Sequence, residues 1–373
     1  MSLTAGVARK TGVVAAIIVA AAVALEAGFR LTGPWIPLSP VGELRLDPLL
    51  GRIPAAGFTG DVRGPESSYH VAINSLGMRD REYGPTRPGE GRILLLGDSF
   101  VYGVGSDLED SVSRQLEAML AHTAGPSGAS WIVMNGGVPG FNTVQELEWF
   151  RHLAPRLGPD LVLIGVHTGT DVLSNRASLA ASRRGVPLPV KIPDWRDRVR
   201  ERIHLAGFLH LRIYEAAARA GLREPYRADL DLAAALAKGS PGAREAIEQT
   251  ADLLGQIALE AGRDGAAAAV FLIPVPAQVT PREHWYYARY YGVDMADDVL
   301  TTPHRLLDSM LEDRGIPCLD LLPLLRSATA GGPLYYRWNA HWTKRGNSMA
   351  SAALARFLAE RGLISRHAGN PAS

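Results

Sequence analysis

The sequence predicts an α/β protein with a central parallel sheet covered on both faces, a helical insertion and an N-terminal membrane helix. Three observations carry this reading. Short runs that are apolar at every position recur along the chain, Ile93-Leu94-Leu95-Leu96 and Leu161-Val162-Leu163-Ile164 among them. A strand without polar alternation is buried on both faces, which is the signature of a parallel sheet between helical layers. Segments with helical spacing of apolar residues fall between these runs, the alternation expected of a βαβ chain. At the start, Arg9 and Lys10 precede an unbroken apolar run from Val13 to Leu25.

The N-terminal run is taken first. A helix crossing the hydrocarbon needs ~20 residues. Extended from Thr11 to Phe29 the segment is long enough, with Glu26 near its outer end where a carboxylate reaches the headgroups. Residues 1–30 therefore read as an uncleaved anchor. The alternative is a secretory signal, for which Ala22-Val23-Ala24 offers a small-x-small cleavage site. Both place the bulk of the chain outside the cytoplasm, because the basic residues favour the inner side. Residues 31–67 are rich in Pro and Gly without a sustained period and read as a stalk or loosely packed lead-in.

The main domain spans 68–365, with 366–373 as a tail. Its first strand is Ile93–Leu96, ending at Gly97. A helix over Val112–His122 follows, then a strand Trp131–Met134, a helix N-capped by Thr143 and running to Leu157, and a strand Leu161–Ile164. Residues 172–240 break the alternation and read as an insertion or lid. They hold Arg183-Arg184, Pro187, Pro189 and Pro193, and a helix near Val199–Ala220. Arg196, Arg198, Arg200 and Arg202 read as a solvated face, whereas Ile203, Leu205, Phe208, Leu209 and Leu211 form an apolar side. The alternation resumes with a helix around Ala243–Ala261 and a strand Ala269–Ile273. A helix around Pro303–Arg314, a strand Pro317–Leu322 and a final helix around Gly346–Arg361 complete it.

Composition narrows the function. With 373 residues, 47% hydrophobic and 21% charged, the chain is too apolar for disorder. A formal net charge of +1 gives no global field to recruit nucleic acid. A single cysteine, Cys318, excludes an internal disulfide and a thiolate zinc site, and in its apolar run it reads as a buried small hydrophobe.

In an open parallel sheet the ligand crevice lies at the carboxyl ends of the strands. Four segments fall there. Gly97-Asp98-Ser99-Phe100 presents a serine hydroxyl just past a buried strand, although a serine opening a helix is also an ordinary N-cap. Asn135-Gly136-Gly137-Val138-Pro139-Gly140 is a glycine-rich loop whose N–H groups can approach a ligand. Gly165 to Asp171 follows the third strand. Asn339-Ala340-His341-Trp342 precedes the last helix and places a histidine able to take a proton from a serine.

In this order the four segments resemble the SGNH, or GDSL-like, hydrolases, in particular their membrane-anchored bacterial members. The resemblance runs from about Asn74 to Ala359 and includes the lead-in Asn74-Ser75-Leu76-Gly77-Met78-Arg79-Asp80. It implies a flavodoxin-like three-layer α/β/α fold, Ser99 as nucleophile and His341 as general base. Oxyanion donors are implied at Ser99, Gly137 and Thr170, and Asp98 is read as an acceptor within the turn. It implies ester-linked acyl groups as substrate, on carbohydrate or lipid, and neither metal nor organic cofactor. The sequence departs from the family pattern twice. Thr170 stands where the family has an oxyanion Asn, and losing such a donor typically costs ~10²–10³ in rate. Asn339 and Trp338 stand where the family has the Asp that orients the histidine. Loss of that Asp can cost ~10⁴. These departures motivate an alternative: a catalytically degenerate domain that binds a glycan or envelope partner. The stretch Trp285-Tyr286-Tyr287-Ala288-Arg289-Tyr290-Tyr291 suits carbohydrate stacking, but reads first as a structural aromatic cluster.

Overall fold

Five strands line up in parallel at the centre of the molecule, two of them buried along their whole length. The computed structural model describes residues 3–32, 43–63, 66–123, 130–184, 199, 203–220, 230–280, 291–336 and 339–364. In chain order the main elements begin with helix α1 (Leu3–Thr32), strands β1 (Leu44–Asp47), β2 (Gly51–Pro54), β3 (Thr59–Arg63), β4 (Ser68–Ala72) and β5 (Glu90–Gly97). Helices α2 (Ser99–Tyr102) and α3 (Val112–Thr123), strand β6 (Ser130–Gly137), helix α4 (Thr143–Leu157), strand β7 (Leu161–His167) and helix α5 (Asp171–Arg183) follow. The second half holds α6 (His204–Arg219), α7 (Asp231–Ala237), α8 (Pro241–Arg263), β8 (Ala267–Ile273), α9 (Pro276–Val279), α10 (Asp297–Glu312), β9 (Cys318–Asp320), α11 (Leu322–Ser327) and α12 (Lys344–Glu360).

The central sheet has the order β6-β5-β7-β8-β9, every pair parallel. This is the flavodoxin-like order, and its crevice opens where β5 and β7 end side by side. Alternate side chains of one strand feed two cores. Leu94 and Leu96, with Val162 and Ile164, pack beneath α4, α5, α8 and α10. Ile93 and Leu95, with Leu161 and Leu163, pack beneath α3 and α12. The fold is therefore three-layered, as the resemblance implies.

Several boundaries differ from the sequence reading. Helix α4 is capped by Asn142, not Thr143: the Asn142 carboxamide oxygen accepts the N–H groups of Val144 and Gln145, and Gln145 reaches back to the Asn142 N–H. Helix α10 starts at Asp297 and runs through Pro303, because Leu300, Leu307 and Leu311 are all buried on its core face. Strand β9 is only Cys318–Asp320, and Cys318 is half-buried against the core. Where the sequence reads a stalk over 31–67, the described part forms two antiparallel hairpins, β1–β2 and β3–β4. Leu50 and Ile53 reach the main core, which four- and five-residue strands are too short to announce by periodicity. Helix α5, inside the expected insertion, buries Val172, Asn175 and Ala181.

Lys10–Leu31 is, among the described residues, the one helix long and apolar enough to cross a membrane. Helix α6 of the insertion leans on it: the Leu205 N–H donates to Glu26 Oε2 at 2.8 Å, and the Phe29 and Phe208 rings lie 5.2 Å apart. Ile203 and Leu209 are exposed. The Pro187–Pro193 cluster, Arg196, Arg198, Arg200 and Arg202, Trp338 and the tail lie outside the described residues, as does the aromatic stretch up to Tyr290. Tyr291 is buried and donates its O–H to Asp231, so it is a structural aromatic and not a stacking platform.

Candidate active site

The turn that carries Ser99, the candidate nucleophile, is built by its own backbone. Strand β5 ends at Gly97, and the Asp98 side chain caps α2 by accepting the Phe100 N–H at 2.9 Å. That makes Ser99 the first helical residue. The first N–H groups of a helix have no partner within it, so the Ser99 N–H has no intrahelical acceptor. Its side chain is half-buried, reachable from the crevice. Behind the turn, the buried Arg79 guanidinium donates to four carbonyls: Tyr102, Gly103, His70 and Ser106, at 2.7–3.1 Å. Asp80 accepts the Asn135 N–H at 2.8 Å and so fixes the end of β6. The lead-in motif that the sequence marks only by resemblance is thus the scaffold of the Ser99 turn. Burial raises the Asp80 carboxyl above its ordinary range.

The histidine arrives from the other end of the chain. Its segment folds back on itself: Tyr335 bridges to Trp342, and the Tyr336 N–H donates to the His341 carbonyl at 2.8 Å. Thr343 then caps α12 by accepting the Gly346 N–H. Within this fold-back the Asn339 carboxamide oxygen accepts the His341 N–H at 2.9 Å and stands 3.2 Å from His341 Nδ1. Ala340 between them takes φ +61°, a left-handed conformation that costs a non-glycine residue about 1–3 kcal/mol and persists where surrounding contacts enforce it. His341 Nε2 lies 2.7 Å from Ser99 Oγ. With Nδ1–H directed at Asn339, the Nε2 lone pair accepts the Ser99 O–H, the arrangement of a base beside a nucleophile.

Phe100, to which the sequence assigns no role, is the packing hub. Its ring stacks on His167 at 4.9 Å, tilts against His341 at 5.0 Å and meets Trp342 edge-on at 5.0 Å. Its position next to the serine is the only signal that could have marked it. A second buried histidine, His304, ties β7 to β9: Nδ1 pairs with Asp320 at 2.7 Å and Nε2 with Thr168 at 2.9 Å.

Two expected oxyanion donors are engaged elsewhere. The Gly137 N–H donates to Asn135 Oδ1 at 3.0 Å, and Gly137 is buried where a β-carbon would collide with the backbone of Val101 and Tyr102. Its smallness serves packing of β6 against α2. The Thr170 hydroxyl donates to Asp171 Oδ1 at 3.0 Å and accepts from His167 Nδ1 at 2.8 Å. In the same glycine loop Gly140 is exposed, at φ +81°, with open space where a side chain would stand. Burial, followed by the nearby His341 and His304, pushes the His167 imidazole down to about 3, so this ring is neutral.

Comparison with known proteins agrees with the resemblance over part of the chain. Residues 237–371 match the family described as the SGNH hydrolase-like domain of acetyltransferase AlgX. That segment contains His341 and Asn339 and ends the chain's second half; Ser99 lies outside it. No curated protein matches the chain. Similar solved structures include the lipase/acylhydrolase from Enterococcus faecalis, with 14% identity, TM-score 0.39, and coverage of 73% of this chain and 96% of that one. The psychrotrophic esterase EstA from Pseudoalteromonas sp. gives 13% identity, TM-score 0.39, and coverage of 73% and 98%. The acetyl xylan esterase AlAXEase gives 10% identity, TM-score 0.39, and coverage of 70% and 97%.

Proposed function

We propose that this chain is a serine esterase or acyltransferase acting on ester-linked acyl groups. The reading is supported above all by the 2.7 Å approach of Ser99 Oγ and His341 Nε2 at the carboxyl ends of β5 and β7. His341 takes the Ser99 proton as Oγ attacks the ester carbonyl. The N–H of Ser99, with that of Gly140 in place of the engaged Gly137 and Thr170 donors, stabilises the oxyanion. The bond to the departing alcohol breaks, His341 returns the proton to it, and the acyl group stays on Ser99. Water or a second hydroxyl then attacks the acyl-enzyme with His341 again as base. Asn339 holds the imidazole by a neutral dipole. No metal or organic cofactor enters these steps.

The acyl group we assign is acetyl, carried on an envelope polysaccharide or lipid. Support comes from the acetyltransferase family over residues 237–371 and from the apolar helix Lys10–Leu31. In this reading residues 1–30 anchor the chain, or direct its secretion, and the domain over 68–365 works outside the cytoplasm. A reporter active only in the cytoplasm, fused after Ser373, then gives no signal.

The test is hydrolysis of a chromogenic acetyl ester by the detergent-solubilised full chain, with labelling by a fluorophosphonate read by mass spectrometry. Turnover and a single adduct on Ser99 are expected. A folded protein that neither turns over nor labels would move the conclusion to the degenerate glycan-binding reading, which the neutral Asn339 beside His341 favours.

A further inference from the structure

Beneath the Ser99 turn four buried side chains come from four elements. Asp98 leaves β5, His167 ends β7, Asp171 opens α5 and Glu146 lies in the first turn of α4. Their exposures are 4%, 6%, 1% and 1%. Asp98, His167 and Asp171 each offer a ligand atom, and these atoms lie within 4.8 Å of one another. Points so spaced share a centre no more than about 2.8 Å from each, close to the 2.0–2.6 Å at which oxygen and nitrogen bind divalent cations.

Two observations point to a ligand and not to a self-satisfied cluster. First, no Lys or Arg among the described residues pairs with Asp98, Asp171 or Glu146; Asp98 accepts the Phe100 N–H, and Asp171 accepts the His167 N–H and the Thr170 hydroxyl. Neither Glu146 oxygen has a hydrogen-bond partner. A carboxylate in that position needs a counter-charge from somewhere, since isolated buried charge costs several kcal/mol. Second, the His167 tautomer is set by its neighbour. Thr170 Oγ1 spends its proton on Asp171 Oδ1, so it accepts from His167 Nδ1–H. That leaves Nε2 as a buried lone pair with no donor, and the structure gives it no partner. An unprotonated, unpartnered imidazole nitrogen is the state in which histidine ligates a metal.

We propose that Asp98, His167 and Asp171, completed by Glu146, bind one divalent cation of the first-row transition class, Mn²⁺ or Zn²⁺. The nitrogen donor argues for these ions over Mg²⁺ and Ca²⁺, which take oxygen sets. The ion ties the ends of β5 and β7 to the start of α4. Because Asp98 also caps the helix that begins at Ser99, the cation is a positioning element for the turn. It touches no reacting atom, and its existence does not depend on the esterase reading.

The full chain, purified and stripped with chelator, is titrated with Mn²⁺, Zn²⁺, Mg²⁺ and Ca²⁺. Bound metal is counted by mass spectrometry, and the unfolding temperature is followed. We expect about one equivalent of Mn²⁺ or Zn²⁺ and a rise of several degrees in Tm at saturation. Glu146→Gln keeps the shape and removes one charge. It should weaken binding by about tenfold or more while raising the Tm of the stripped protein. His167→Ala should abolish preference for Zn²⁺ and Mn²⁺ over Mg²⁺. The proposal is overturned if no cation binds or stabilises, which means the carboxyl groups are neutralised by protons. It is equally overturned if binding persists unchanged in both variants, which places the metal elsewhere.

Discussion

Two polar groups share the carboxyl edge of the sheet, meeting at the adjacent residues Asp98 and Ser99, and they differ in how charge is accommodated. Ser99, His341 and Asn339 are half-buried, and each is bonded to the next. Asp98, Glu146, His167 and Asp171 are fully buried and leave oxygens and a ring nitrogen without partners. The first group is completed by the chain itself, so only the incoming substrate is needed. Among the described residues the second is not completed, since no basic side chain there pairs with its carboxyl groups. Partnering within the fold makes a site ready; its absence in a dry interior makes a site that must take something up, a proton or an ion.

Removing the proposed nucleophile tests the partnered half with the largest effect. Ser99→Ala should lower ester turnover by more than about 10³-fold while leaving the thermal unfolding curve within about 1 kcal/mol of the parent, since the hydroxyl sits at a strand end. Turnover at the parental rate would show that the serine–histidine pair is not the working one.

The support of the turn comes next. Arg79→Leu removes one guanidinium and strands four carbonyls. Breaking such a buried charged network should cost about 3–5 kcal/mol, read as a lowered urea midpoint. A loss under about 1 kcal/mol would mean that the lead-in motif does not hold the nucleophile turn.

Asn339→Asp sharpens the contrast by putting charge into the neutral half. As Ser99 attacks, His341 becomes a cation, and a carboxylate at the Asn339 position attracts it. Unit charges ~4 Å apart at an effective dielectric of ~20 interact by about 4 kcal/mol before desolvation is subtracted. A tenfold gain in turnover needs only ~1.4 kcal/mol of that. The same charge favours imidazolium in the free enzyme, so the acidic limb of the pH–rate profile should move upward. An unmoved limb would mean that position 339 does not act on the ring.

The smallest effect concerns a buried carboxyl that does have partners. Glu43 accepts the Tyr102 O–H, and Arg79 lies near, yet burial still raises its proton affinity above the ordinary value. The folded chain then holds this proton better than the unfolded chain does. Stability from this group is present at low pH and is lost as pH rises from the ordinary glutamate range through the raised folded value. Glu43→Gln should flatten that part of the Tm–pH curve, by less than Glu146→Gln raises the Tm of metal-free protein. An equal or larger effect at Glu43 would erase the distinction between partnered and unpartnered carboxyl groups.

What was legible in the sequence follows from one-dimensional patterns. Strands apolar at every position mean burial on both faces, so the parallel sheet and its helical layers could be read directly, and with them the edge where a site belongs. The Gly-Asp-Ser turn and the Asn-Ala-His segment were visible as motifs because their geometry is local: a cap, and an amide oxygen reaching two residues ahead. The hairpins of the lead-in were not visible, since four- and five-residue strands carry too few periods.

Other features were decided only by tertiary packing. Gly137 and Gly140 are equivalent in a sequence. Packing of β6 against α2 buries the first and engages its N–H with Asn135, while the second stays exposed. Thr170 looks like a spare donor until Asp171 and His167 are folded around it. The convergence of Asp98, Glu146, His167 and Asp171 has no spacing to betray it. Each residue is set by a different strand end or helix start, and they meet because the switch in strand order brings β5 and β7 together beneath α4. A sequence determines which segments must be buried; how the ends of those segments meet is fixed by the crossover connections, and that is where charge is left to be compensated.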